Sequence, residues 1–212
     1  GFIKEAAAIA NLELGALDPE LAPLIIQACI DVRDGKLDSE FVVDAIQGGA
    51  GTSSNMNANE VIANRALEIM GAQKGDYAKI HPLNHVNASQ STNDVYPTAM
   101  RLAMVAQCDA FSSAQTRLIE ALRERATAFA TIRKIGRTQL QDAVPMTLGQ
   151  EFAGFATTIR EDVDIIGRLK ALLLEVNLGG TAIGTRVNTP DGYAEAAVAE
   201  LGHVSGLPVK LA

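Results

Sequence analysis

The chain has 212 residues, of which 48% are hydrophobic, 20% charged and only 4% aromatic, with a formal charge of −7. This balance suits a packed helical protein, and the acidic charge argues against nucleic acid or an anionic membrane surface as partner. No apolar run reaches the roughly 18 residues of a membrane-spanning helix, so a cytoplasmic protein is expected.

Gly1 leads straight into Phe2-Ile3-Lys4-Glu5-Ala6-Ala7-Ala8-Ile9, a helical run with no capping residue before it, and the start is expected to be cut. Asp18-Pro19-Glu20 then offers an N-cap, a proline for the first helical position and an acid in the first turn. Leu21, Leu24, Ile25, Ala28, Cys29 and Val32 follow at helical spacing up to Asp34-Gly35. Gly48 to Asn57 is rich in glycine and hydroxyls, and the helical stripe from Glu60 to Met70 stops at Gly71. Lys74 to Asp94 is too polar for a long element and predicts a structured loop.

Pro97 is expected to open a helix of about thirty residues whose inner stripe is Met100, Ala103, Met104, Gln107, Phe111, Ala114, Leu118, Leu122 and Phe129. A second long helix is expected from Thr147 to near Leu178, with Leu148, Phe152, Phe155, Ile159, Val163, Ile166, Leu169, Leu173 and Val176 inward. The segment centred on Gly136 to Pro145 would join them as antiparallel members of a bundle that needs further helices. Thr189-Pro190 begins a shorter helix to about Gly202, Lys134-Ile135-Gly136 and Leu207-Pro208-Val209 are weak strand signals, and the end at Ala212 is also expected to be cut. Cys29 and Cys108 sit within helical patterns and predict buried free thiols.

Three polar clusters interrupt this helical frame. Gly48 to Glu60 places glycines and hydroxyls before a helix start, which suits a carboxylate or phosphate but lacks the Lys-Ser/Thr of a P-loop; a glycine-rich turn capped by Asn55 or Asn57 is the plainer alternative. Ser89-Gln90-Ser91-Thr92-Asn93-Asp94 offers neutral donors for a carboxylate, or merely an N-cap at Asn93 or Asp94. Gly136-Arg137-Thr138-Gln139-Leu140-Gln141-Asp142-Ala143-Val144-Pro145 is dense in hydrogen-bonding groups for a connector. His81 and His85 are four apart, but Pro82 argues against the aligned helix a metal pair requires, so a loop-packing or hydrogen-bonding role is expected and no metal.

Taken in order, Gly51-Thr52-Ser53-Ser54-Asn55-Met56-Asn57-Ala58-Asn59-Glu60, Gln90-Ser91-Thr92-Asn93-Asp94 and Gly136-Arg137-Thr138-Gln139-Leu140-Gln141-Asp142 resemble the first conserved regions of the aspartase/fumarase superfamily. Thr92, Gln139 and Leu172-Leu173-Leu174-Glu175-Val176-Asn177-Leu178-Gly179 look more like its aspartase branch, whereas Arg186 stands where the family commonly has glycine. The resemblance implies an all-α, long-helix-bundle fold, with a smaller helical N-terminal domain over residues 1–93 and the first part of the bundle over 94–212. It also implies a homotetramer whose sites draw on three subunits.

By the same resemblance, Thr52, Ser91 and Thr92 would bind the β-carboxylate of L-aspartate, Asn93 would help hold the amino group, and Thr138 and Gln139 would lie at the α-carboxylate. The implied reaction removes ammonia through an aci-carboxylate intermediate to give fumarate, without a cofactor. The family's general base is a serine on a Gly-Ser-Ser loop, a string absent from these 212 residues, so the chain alone is expected to be inert. Fumarate hydratase and a non-catalytic scaffold are the alternatives.

Overall fold

A computed structural model describes residues 1–46 and 48–212. The chain is mainly helical, in the order α1 (Phe2–Glu13), α2 (Ala22–Arg33), α3 (Thr52–Met70), α4 (Thr92–Ala128), β1 (Arg133–Thr138), β2 (Gln141–Thr147), α5 (Leu148–Leu173), β3 (Glu175–Val176), α6 (Tyr193–Ser205) and β4 (Lys210–Leu211). It divides into two compact units, one of residues 1–102 with 174–212 and one of residues 103–173.

In the first unit α1 packs against both α2 and α6, so it has little face left for water. Ala6, Ala7 and Ala10 are fully buried, and such small side chains share an apolar cluster with Ala197 of α6. One apolar cluster joins Ala8, Ile25, Cys29, Ile62, Leu67 and Val86, and a second joins Ile3, Val95, Val176, Leu178, Tyr193 and Leu201. Burial of each large aliphatic side chain there contributes roughly 1.5–3 kcal/mol. At the end of α3, Gly71 is left-handed (φ 80°), and the N–H groups of Gly71 and Ala72 bond to the carbonyls of Glu68 and Leu67 in a Schellman closure.

Several boundaries depart from expectation for local reasons. Asp18 does not cap a helix starting at Pro19; its Oδ1 accepts the Glu20 N–H at 2.8 Å in a lead-in turn, and α2 starts at Ala22. Pro97 lies inside α4 instead of opening it, because the Asn93 carbonyl that a residue-97 N–H would have bonded accepts from Asn177 Nδ2 at 3.1 Å. The expected end of α5 near Leu178 is replaced by β3, which pairs in parallel with β4.

The second unit holds most of α4, the hairpin β1–β2 and α5. The segment expected to join the long helices, with a weak strand signal at Lys134-Ile135-Gly136, is an antiparallel hairpin with a bulge between Ile135 and Arg137, and those three residues lie in β1. Its two-residue tip, Gln139-Leu140, has positive φ at both positions (49° and 64°), the mark of a type I′ turn built without glycine or asparagine. Each such residue costs on the order of 1 kcal/mol relative to a residue suited to that region. The double change Gln139→Asn, Leu140→Gly is therefore expected to stabilise the hairpin by about 1–2 kcal/mol, read as slower amide exchange across β1 and β2.

Much of the long-helix stripe is open in this chain: Met104, Phe111 and Leu118 on α4 and Phe155 and Leu169 on α5 are exposed. Cys108 is half-buried instead of buried, while Cys29 is fully buried as expected, and both are free thiols.

Candidate functional site

The start of α4 is the focus of the first unit. Ser91 is its N-cap: Ser91 Oγ accepts the Asn93 N–H at 3.2 Å, and Asp94 Oδ1 reaches back to accept the Ser91 N–H at 3.0 Å. This reciprocal arrangement is a capping box, so the cap belongs to Ser91 and not to Asn93 or Asp94. Asp94 has no exposed surface, and its Oδ2 accepts the N–H groups of Gly179 and Thr181 at 3.0 and 2.9 Å. One buried carboxylate thus fastens the 177–181 turn to the capped helix start. Burial pushes its pKa above the usual carboxylate range, while the N–H groups of Ser91, Thr181 and Gly179 pull it down.

Around this anchor stand the residues singled out from the sequence. Ser91 is half-buried and lines a cavity of about 660 Å³ with Ser89, Gln90, Thr181 and Asn188. Thr92 Oγ1 accepts from Asn55 Nδ2 of α3 at 3.1 Å. Asn93 donates its amide to the Ala182 carbonyl at 3.0 Å. Thr52 is the first residue of α3, exposed, with its hydroxyl on the Gly49 carbonyl at 2.9 Å.

Gly51, just before Thr52, is left-handed (φ 86°), and a Cβ there would lie 2.3 Å from the Tyr96 ring. Only glycine lets this loop lie so close to Tyr96 in the first turns of α4. The glycine-rich segment is capped by Gly51 itself, so Asn55 and Asn57 serve elsewhere. Asn57 accepts from the Val42 and Val43 N–H groups, and Asn55 reaches Asn87 and Thr92. Thr138 and Gln139 lie in the other unit, both exposed at the hairpin tip.

Several residues of this neighbourhood were not singled out from the sequence. Asn87 Oδ1 accepts from Lys4 Nζ at 2.8 Å, Asn59 Nδ2 at 3.2 Å and Asn55 Nδ2 at 3.3 Å, which makes it the hub beneath the 87–91 loop. Asn11 donates to the Ala88 carbonyl at 3.0 Å and accepts from Ser89 Oγ at 2.7 Å. The overlooked signal was a lysine and an asparagine seven residues apart, on one face of an alanine-rich helix. His81 and His85 serve the loop, as expected: His81 Nδ1 accepts the Leu83 and Asn84 N–H groups, and His85 Nδ1 accepts the His81 N–H at 2.9 Å.

A family model described as Lyase matches residues 1–212. The chain belongs to this lyase family. It is 55% identical to the aspartate ammonia-lyase of Pseudomonas aeruginosa over 210 residues, 99% of this chain and 44% of that protein. To the aspartate ammonia-lyase of Escherichia coli K12 it is 52% identical over 208 residues, 98% of this chain and again 44% of the relative. The chain therefore spans less than half the length of these relatives.

Among solved structures, the fumarate lyase:delta crystallin from Brucella melitensis bound to cobalt superposes with a TM-score of 0.87 at 57% identity, covering 100% of this chain and 46% of that one. The class II fumarase from Schistosoma mansoni does so with a TM-score of 0.80 at 38% identity, covering 97% and 43%. The mainly helical architecture is thus that of fumarate-lyase-type members of the family.

Proposed function

We propose that this chain is the carboxylate-binding part of a carbon–nitrogen lyase that converts L-aspartate to fumarate and ammonia. The observation that carries it is the capped helix start, where Ser91 and Thr92 open α4 beside the buried Asp94 carboxylate that fastens the 177–181 turn. The aspartate ammonia-lyase relatives at 52–55% identity support the choice of substrate.

Taking the proton from the carbon beside the β-carboxylate drives negative charge onto that group. Fixed hydroxyl donors from Thr52, Ser91 and Thr92 then stabilise the transition state more than the ground state. Asn93 has its amide N–H on Ala182, which leaves Oδ1 as an acceptor for the departing ammonium. Thr138 and Gln139 take the α-carboxylate, and no redox or carbonyl cofactor enters. The base lies outside these 212 residues, which contain no Gly-Ser-Ser string.

In this proposal the enzyme is a cytoplasmic homotetramer in which the apolar stripes of α4 and α5 are covered by other helices of the bundle. Their exposed Met104, Phe111, Leu118, Phe155 and Leu169 support that assembly. Among the described residues no helix is long and apolar enough to cross a membrane.

The test is a chimera in which residues 1–212 replace the matching segment of the Pseudomonas aeruginosa enzyme. Fumarate formation from L-aspartate, followed by ultraviolet absorbance, is expected from the chimera, and none from the 212-residue chain alone. A chimera that dehydrates L-malate instead would support fumarate hydratase, the alternative favoured by the likeness to the Schistosoma mansoni fumarase.

A further inference from the structure

Lys4 is 3% exposed, on a helix packed on both sides. Its Nζ has two acceptors, Asn87 Oδ1 and Gln90 Oε1, both neutral amides and both at 2.8 Å. No carboxylate lies within ion-pair distance of it among the described residues. Asn87 Nδ2 in turn donates to the Gln90 carbonyl, and Gln90 Nε2 donates to the carbonyls of Val86 and Ala88. With Asn11, Lys4 therefore ties α1 to a loop whose next residues are Ser91, Thr92 and Asn93.

We propose that Lys4 positions the carboxylate-binding donors by fastening Asn87 and Gln90 to α1 through two N–H bonds, so that the loop closes best when the side chain is a neutral amine. This rests on the assignment of Ser91 to Asn93 as substrate-binding residues. Two acceptors match the two hydrogens of –NH2, whereas an ammonium brings a third N–H with no acceptor there and a charge with no counterion in contact. Burial lowers the Lys4 pKa to about 7, against a weaker upward pull from Asp94 of α4.

The other groups in the neighbourhood do not supply a counterion. Burial pushes the Cys29 thiol up to about 12, and the Tyr193 phenol of α6 is raised likewise, so both stay neutral. Glu5 is paired with Arg33 at 2.8 Å, and the Gly1 amino group is itself lowered by burial. Asn55 and Asn59 face the hub from α3 and do not titrate.

The sign follows from linkage. Opening the loop wets Lys4 and returns it toward its ordinary pKa near 10.5, so the open form binds the extra proton and rising pH favours closure from about 7 upward. A regulated donor loop results: ordered above neutrality and loosened as Lys4 charges.

The test is amide hydrogen exchange of the 212-residue chain, corrected for intrinsic rates, between pH 6.5 and 8.5. Burial lowers the His85 pKa below its ordinary value, and the comparison with Lys4→Met separates any titration of His85 from that of Lys4. Protection of residues 89–93 is expected to rise at least about tenfold in the wild type. In Lys4→Met it should be flat with pH, while protection in β1 and β2 is the same in both.

Protection that is flat or falls with pH in the wild type would overturn the proposal, and so would an unchanged slope in Lys4→Met. If Lys4→Met does not fold, the wild-type profile decides alone. Because exchange is read without turnover, a loop that tightens in a chimera inactive on L-aspartate would sink the proposed reaction and leave the role of Lys4 standing.

Discussion

Replacing Asp94 with alanine is expected to destabilise the unit formed by residues 1–102 and 174–212 by about 3 kcal/mol or more. Three backbone N–H groups, of Ser91, Gly179 and Thr181, lose their acceptor, the last two in a buried place. Each orphaned buried donor costs roughly 1–3 kcal/mol, against which relief from burying a carboxylate offsets part. Asp94→Asn keeps the shape and one acceptor oxygen, so its cost should fall between wild type and alanine. Urea unfolding measures both, and the loss should appear as a lower midpoint with amide exchange accelerated at 91–95 and 177–181.

The second large effect is on catalysis. In the chimera, Ser91→Ala and Thr92→Val are each expected to lower kcat/KM for L-aspartate by about 100-fold or more, the scale for loss of one donor to a developing oxyanion. The fall should sit mainly in kcat, because the donors act on charge that appears only in the transition state. Ser91→Ala also removes the cap, worth about 1 kcal/mol, so Thr92→Val gives the cleaner comparison. Activity untouched by both would favour a scaffold that has kept the polar clusters for structural reasons.

The helical frame was legible because it rests on local signals: the stripe from Glu60 to Met70, its stop at left-handed Gly71, and the long apolar patterns of α4 and α5. The polar clusters were legible because glycine and hydroxyl-rich strings stand out from that pattern. What stayed hidden was set by distant partners. Pro97 marks a helix start only when the carbonyl four residues back has no other donor, and here Asn177, 84 residues away, supplies one. The hairpin was obscured because Gln139-Leu140 adopts a turn normally signalled by Asn-Gly.

The clamp itself was invisible for a similar reason. Asp94 reads as an ordinary helix-start acid until the 177–181 turn is folded onto it, and Lys4 reads as a solvent residue until the 87–90 loop closes on it. Both are polar groups held by long-range packing, which no window of neighbouring residues reports. The capping box, by contrast, was written in Ser91-Thr92-Asn93-Asp94, where it was read with the cap two or three residues too late.

The most direct check is a crystal structure of the chimera with L-aspartate bound. The β-carboxylate is expected within hydrogen-bond distance of the Ser91 and Thr92 donors, with the Thr52 hydroxyl closing on the same group and Thr138 of some subunit at the α-carboxylate. A ligand bound in a cleft that none of Thr52, Ser91 and Thr92 touches, in any assembly of subunits, would contradict the account.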